Sequence, residues 1–240
     1  MTAIRPNPFH NDLDYEMMED EKGRTVTYRN NRNRYFFPDE WKIFYDSLQK
    51  RKDRRLSEQQ IMFNMLLHTG ARINEARNVK VGDVDFERGN IMLRVTKKIV
   101  NRPGIQKKGI SKKRIVTIST QFTKFLKKAV RDYDLTDDDY FFEMSTQGAN
   151  QAMERKLKKI GIPDYKMFSI HNIRKTAENW LIALGIDWNK VIKQFGHSPN
   201  ISLKHYLSSD IFGFDEKREI SQILGDIREK MMGDPYGRRF

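Results

Sequence analysis

The apolar residues change period twice along this chain, and that change most constrains its fold. From Pro38 to about Asn78 they recur at helical spacing. Pro38-Asp39-Glu40 suits a first helical turn. Ser57 precedes a second helix with Ile61, Met62, Met65 and Leu66 on one face, stopping at Thr69-Gly70. A short helix is expected from about Arg72 to Asn78. Over residues 79–118 the pattern becomes that of strands. Val79, Val81 and Val84 lead to a turn at Arg88-Gly89-Asn90, and Ile91–Val95 and Arg114–Ile118 read as antiparallel partners. From 120 onward helical spacing returns. Phe122, Phe125, Leu126, Ala129 and Val130 fall at helical spacing, helices are expected over about 147–160 and 187–195, Ile173, Ala177, Trp180, Leu181 and Leu184 form one stripe closed by Gly185, and a last helix carries Ile220, Ile223, Leu224, Ile227 and Met231. The fold class is therefore α+β, mainly helical, with a small antiparallel sheet or hairpin inserted after the second or third helix.

The totals narrow the partners. The chain has 240 residues, enough for one core with extensions. Lys and Arg number 45 against 32 for Asp and Glu, a formal charge of +13. Such an excess favours a polyanion, either nucleic acid or an acidic membrane surface. With no cysteine, a disulfide framework, a cysteine nucleophile and a cysteine-ligated zinc site are all excluded. No apolar stretch approaches the roughly 20 residues that cross a bilayer, and no signal-peptide core opens the chain, so a cytoplasmic setting beside cellular or viral DNA is expected.

Residues 1–37 lack clear periodicity and read as an arm or a flexible terminus. Between the two expected strands, Lys97 to Lys113 is long for a hairpin loop and carries Lys97, Lys98, Arg102, Lys107, Lys108, Lys112 and Lys113 without an acid, followed by Arg114. Its bland reading is a solvated basic loop. Its functional reading is a set of phosphate contacts by Lys97, Lys107, Lys108, Lys112, Lys113 and Arg114.

Four segments could carry chemistry. They are Thr69-Gly70-Ala71-Arg72-Ile73-Asn74-Glu75, His171-Asn172-Ile173-Arg174, Gly196-His197-Ser198-Pro199, and Tyr206, nine positions after His197. Their order and spacing resemble the tyrosine recombinase, or phage integrase, family. That family's pattern is an arginine in T-G-x-R-x-x-E, a lysine on a β-hairpin, H-x-x-R, G-H-[ST], then tyrosine. The resemblance covers about residues 38–210, and five ordered matches are specific where each motif alone is weak. It implies a catalytic domain over 38–214, with 215–240 as a C-terminal amphipathic helix and tail. It also implies cleavage and rejoining of DNA through a 3′-phosphotyrosine, for integration or recombination.

The chemistry matches the residue types. A phosphodiester under attack gathers negative charge on its non-bridging oxygens, and guanidiniums hold those oxygens in fork geometry without ever becoming neutral near pH 7. Arg72 and Arg174 suit that role. Taken singly, Arg72 could merely pair with Glu75 at i,i+3 and Arg174 could sit on a solvated helix face; Glu75 could also orient Arg72. A tyrosine hydroxyl attacks poorly unless its proton is accepted, so His171 is a candidate acceptor, while His197 could contact the phosphate or assist the tyrosine. Tyr206 is the nucleophile by its offset from His197. The departing 5′ oxygen needs a proton, which a hairpin lysine could supply. Lys98 fits best by strand end, with Lys97, Lys107, Lys108, Lys112 and Lys113 as alternatives. Neither a metal nor another cofactor is required by this scheme.

Family members usually carry a helical core-binding domain ahead of the catalytic one. Only about 37 residues precede the first catalytic helix here, so a catalytic domain alone is expected, whether by truncation or by nature. The partner is double-stranded DNA. The C-terminal stripe could pack on its own domain or dock on a neighbouring protomer, giving a homo-oligomer on DNA. Competing readings are a topoisomerase IB-like nicking-closing enzyme, a non-catalytic DNA-binding protein that keeps the fold, and a basic RNA- or membrane-surface protein.

Overall fold

A computed structural model describes residues 15–19, 22–29, 34–49, 55–95, 112–162, 165–196 and 212–233. Its elements run β1 (Tyr15–Glu19), β2 (Thr25–Arg29), α1 (Pro38–Ser47), α2 (Glu58–Thr69), α3 (Ile73–Ala76), β3 (Val84–Asp85), β4 (Asn90–Val95), β5 (Lys112–Thr117), α4 (Thr120–Tyr133), α5 (Thr146–Lys159), α6 (Ile170–Ala183), α7 (Trp188–Phe195), α8 (Phe214–Leu224) and α9 (Ile227–Met232). This is the expected α+β arrangement. No described helix is long and apolar enough to cross a membrane.

Local chemistry explains most boundaries. Ser57 Oγ accepts from Gln60 N while Gln60 Oε1 accepts from Ser57 N, a reciprocal capping pair that starts α2. Ser119 and Ser145 cap α4 and α5 through single bonds to Phe122 N and Gly148 N. Asp187 caps α7 by accepting from Asn189 N and Lys190 N.

α6 is the central helix. Every residue from Asn172 to Ile182 is buried, not only Ile173, Ala177, Trp180 and Leu181 of the expected stripe, whose last member Leu184 is half-buried. Helices α2, α5, α7 and α8 surround it, and so does the segment Arg34–Phe37. Phe36 N donates to Thr176 Oγ1 at 2.9 Å, Trp180 Nε1 donates to Phe36 O at 3.1 Å, and Asn172 Nδ2 donates to Arg34 O. Phe36 and Phe37 are fully buried, so the expected boundary between arm and domain at 37/38 falls inside the core. The arm also contains the β1–β2 hairpin, paired from Tyr15↔Arg29 to Glu19↔Thr25, where no strand was expected.

The inserted sheet has three antiparallel strands in the order β3-β4-β5, the short β3 being additional to the expected pair. Its register sets Ile91 opposite Val116 and Leu93 opposite Arg114. Ile91, Leu93 and Val116 are buried, while Ile115 on the other face is 70% exposed. Alternation thus turns Arg114 inward and Ile115 outward.

The expected last helix is broken at Gly225-Asp226. The Asp226 carboxylate accepts from Thr120 N at 2.6 Å and Thr120 Oγ1 at 2.5 Å, closing the start of α4. Ile220, Leu224 and Ile227 are buried in the chain's own core. The stripe thus packs largely on its own domain, the first of the two expected readings, with Ile223 and Met231 only partly buried.

Candidate functional site: an arginine cluster where two helices end

Helices α2 and α7 both end on glycines, Gly70 at φ 58° and Gly196 at φ 63°. A side chain is strained at such angles, and at Gly70 it has no room, since a Cβ there would lie 2.3 Å from the Phe195 ring. Thr69 shapes the turn that follows. Its Oγ1 donates to Met65 O at 2.5 Å and accepts from Ala71 N at 3.1 Å. The chain then enters α3 from Arg72, the extended residue just before its first turn.

The two C-termini share one cation. Arg174, 2% exposed in α6, donates through Nη1 to Gly70 O and through Nη2 to Phe195 O at 2.6 Å. Its guanidinium also lies 4.9 Å from the centre of the Phe195 ring. Helix C-termini carry partial negative charge and unpaired carbonyls, which offset part of the cost of burying this cation. Burial, then the neighbouring Arg72 and Arg114, push its pKa down to about 9, against the pull of Glu75 and Glu178. It remains charged at neutral pH.

Glu75 joins the other arginines. Its carboxylate is 3% exposed. Oε1 accepts from Arg72 Nη1 at 2.9 Å, and Oε2 accepts from Arg72 N at 3.0 Å and Arg114 Nη2 at 2.8 Å. Burial alone would raise its pKa; the Arg114 and Arg72 contacts outweigh burial and hold it below the ordinary carboxylate value. Arg72 keeps 46% of its side chain exposed while making these bonds. It is the open edge of the cluster. His171, at the start of α6, is exposed as well.

The structure therefore brings Arg72, Arg174 and Glu75 together, with His171 one turn before Arg174 on the same helix. The expected general acid Lys98, the phosphate contacts Lys97, Lys107 and Lys108, and both His197 and Tyr206 lie outside the described residues. Lys112 and Lys113 are in β5, with Lys113 exposed. Arg114 stands elsewhere than expected. It is no outward phosphate contact, for its side chain is 11% exposed and committed to Glu75 and to Gln194 O. Two residues with no signal in the sequence complete the frame. Phe195 supplies a carbonyl and a ring to Arg174. Gln194 pairs with the free edge of β5, accepting from Thr117 N at 3.2 Å and donating to Thr117 O at 2.9 Å.

The chain is a mainly helical domain with a small inserted sheet, carrying a positive cluster where motifs far apart in sequence meet. The phage integrase family model matches residues 34–211, and the chain belongs to that family. Among curated relatives, very late expression factor 1 of Autographa californica nuclear polyhedrosis virus is 28% identical over 164 residues, 68% of this chain and 41% of the relative. Solved structures share the fold. XerA recombinase superposes with a TM-score of 0.56 at 24% identity, over 78% of this chain and 64% of that one. The Tn1549 transposon integrase in complex with transposon right-end DNA gives 0.56 at 19%, over 79% and 65%. XerH bound to its difH substrate gives 0.53 at 19%, over 79% and 56%. The chain thus spans less than half of the viral relative and under two-thirds of these recombinases.

Proposed function

We propose that this chain is the catalytic domain of a site-specific DNA recombinase or integrase, acting through a 3′-phosphotyrosine on Tyr206. One observation carries the reading. Arg72 and Arg174, distant in sequence, meet through the Gly70 turn and a shared electrostatic neighbourhood, with Arg72 open to solvent. Family membership supports it, as do the DNA complexes named for the Tn1549 integrase and XerH.

In this scheme Arg72 and Arg174 hold the non-bridging oxygens and stabilise the charge that builds on them. Tyr206 Oη attacks phosphorus and passes its proton to His171. The P–O5′ bond breaks, and the departing oxygen takes a proton from a hairpin lysine, Lys98 by strand position. His197 assists at the phosphate. Attack by a free 5′ hydroxyl from another strand reverses the steps and rejoins the DNA. Guanidiniums supply the positive charge that a metal ion supplies in other phosphoryl-transfer sites, so the reaction runs without one. Lys97, Lys107, Lys108, Lys112 and Lys113 grip the backbone, and the domain spans 38–214 plus the buried segment ahead of α1. It works as a homo-oligomer on DNA in the cytoplasm, in a mobile-element or viral setting.

The test uses a pool of nicked suicide duplexes with randomised cores, from which SDS-resistant protein–DNA adducts are recovered and sequenced. Wild type is expected to give an adduct on a defined subset of sequences, and Tyr206→Phe none. An adduct that survives in Tyr206→Phe would sink the nucleophile assignment.

A further inference from the structure

The inward arginine of β5 has no part in that scheme. Register sets Arg114 opposite the buried Leu93, two residues before the buried Val116. From there its Nη2 donates to Glu75 Oε2 at 2.8 Å and its Nε to Gln194 O at 3.0 Å. A Cβ on Gly196 would lie 3.3 Å from Arg114 Cδ, so the backbone of the turn leading into the Gly-His-Ser segment packs against this side chain.

We propose that Arg114 is a positioning residue: through Glu75 it fixes the direction of Arg72, and through Gln194 and Gly196 it ties that pair to the end of α7. The inference rests on the recombinase reading above.

The physical need is plain. Arg72 is long and 46% exposed, and a side chain of that kind has many rotamers unless something holds it. Glu75 holds it, with Oε1 on Arg72 Nη1 and Oε2 on Arg72 N. Arg114 adds a second, charged donor to Oε2 from a separate strand, so the carboxylate is anchored to the sheet as well as to its own turn. The charged groups facing Glu75 are Arg72 at the start of α3, Arg114 from β5 and Arg174 from α6. Arg114 comes from the strand that follows the basic hairpin, whereas Gln194 and Gly196 close α7. One planar guanidinium with separate donors thus sets three segments of the site in mutual register. Lysine could reach one of these partners and not both.

The experiment compares wild type, Arg114→Met and Arg114→Lys of the full chain on the suicide-duplex pool. Single-turnover cleavage and DNA binding by anisotropy are measured separately, with thermal melts as a folding check. Arg114→Met is expected to bind within about threefold of wild type and to cleave about 100-fold more slowly, the scale of a misplaced catalytic group. Arg114→Lys is expected to lose about tenfold, because it restores one contact. Adding Glu75→Gln to Arg114→Met should lower the rate little further, since both act through one path to Arg72. Arg114→Met should also lose cleavage at a higher pH than wild type as conditions turn acid, because Glu75 loses the ion pair that lowers its pKa. A merely structural defect would scale the rate without moving that limb.

Cleavage by Arg114→Met at the wild-type rate would overturn the proposal. So would equal losses of binding and cleavage, which would make Arg114 a DNA contact, or full additivity with Glu75→Gln. If Arg114→Met does not fold, Arg114→Lys decides by the same measures. If wild type itself forms no adduct, the recombinase reading falls and this proposal with it; if only the variants match wild type, this proposal falls alone.

Discussion

Two buried glutamates in this molecule are built alike and do different work. Glu40 is 5% exposed and Glu75 3%. Each accepts from the backbone N–H three residues earlier, Phe37 and Arg72 respectively, at 3.0 Å. Each takes two arginines. Glu40 Oε1 accepts from Arg34 at 2.7 Å and Arg24 at 3.3 Å; Glu75 accepts from Arg72 and Arg114. The difference lies in what the arginines have left over. Arg34 is 2% exposed, and Arg24 is further held by Asp39 at 2.7 Å and lies 3.9 Å over the Phe37 ring. That cluster is closed, and it pins the segment before α1. Around Glu75, Arg72 still faces solvent and Arg174 stands close by, so positive charge is offered outward. A glutamate with two arginines is therefore no functional signature by itself; what sets the second cluster apart is the solvent-facing Arg72 beside Arg174.

The sharpest way to break this comparison is to remove one arginine from each cluster. Arg72→Ala should cut single-turnover cleavage by about 100- to 1,000-fold, the scale of losing one charge-stabilising donor, while its melting temperature changes little because the side chain is half exposed. Arg34→Met should do the reverse. It leaves the buried Glu40 carboxylate with the longer Arg24 contact as its cation and should cost about 3 kcal/mol of stability in denaturant melts, with cleavage per folded molecule unchanged. If Arg34→Met lost cleavage and kept stability, the two clusters would have been misassigned.

Gly70→Ala is expected next in size. A left-handed residue that also meets the Phe195 ring should cost about 2 kcal/mol and should slow cleavage, since Phe195 seats Arg174. The smallest effect is in acid. Glu75 is held below its ordinary value, so its contribution is in place above that value and is lost as pH falls through the lowered one. Glu40 is raised by burial, which outweighs Arg34 and the Phe37 N–H; its contribution is full below the ordinary value and declines as pH rises through the raised one. Melting curves between about pH 3 and 6, the carboxylate range, should show Glu75→Gln with a shallower acid loss and Glu40→Gln with a steeper one.

Much of this was legible in the sequence. Ser57 and Pro38 announced helix starts, Gly70 and Gly196 announced helix ends, and the ordered motifs placed Arg72 and Arg174 in one site before any geometry. Two kinds of information were not. Strand parity was hidden because Arg114-Ile115-Val116-Thr117-Ile118 has apolar residues on both faces, and only pairing with β4 shows that the arginine is inside and Ile115 outside. Long-range burial was hidden too. Tyr35-Phe36-Phe37 lies next to a basic, amide-rich stretch that reads as an arm, yet it is the aromatic wedge against α6. The break at Gly225 was missed because Asp226 acts on a helix start more than a hundred residues away.

The central proposal is that Tyr206 attacks a phosphate bound by Arg72 and Arg174. Peptide mapping of the trapped adduct tests it most directly. The wild-type adduct, digested with nuclease and trypsin and sequenced by mass spectrometry, should carry its nucleotide remnant on Tyr206. A remnant on Tyr133, Tyr140, Tyr165 or any other side chain would contradict the account.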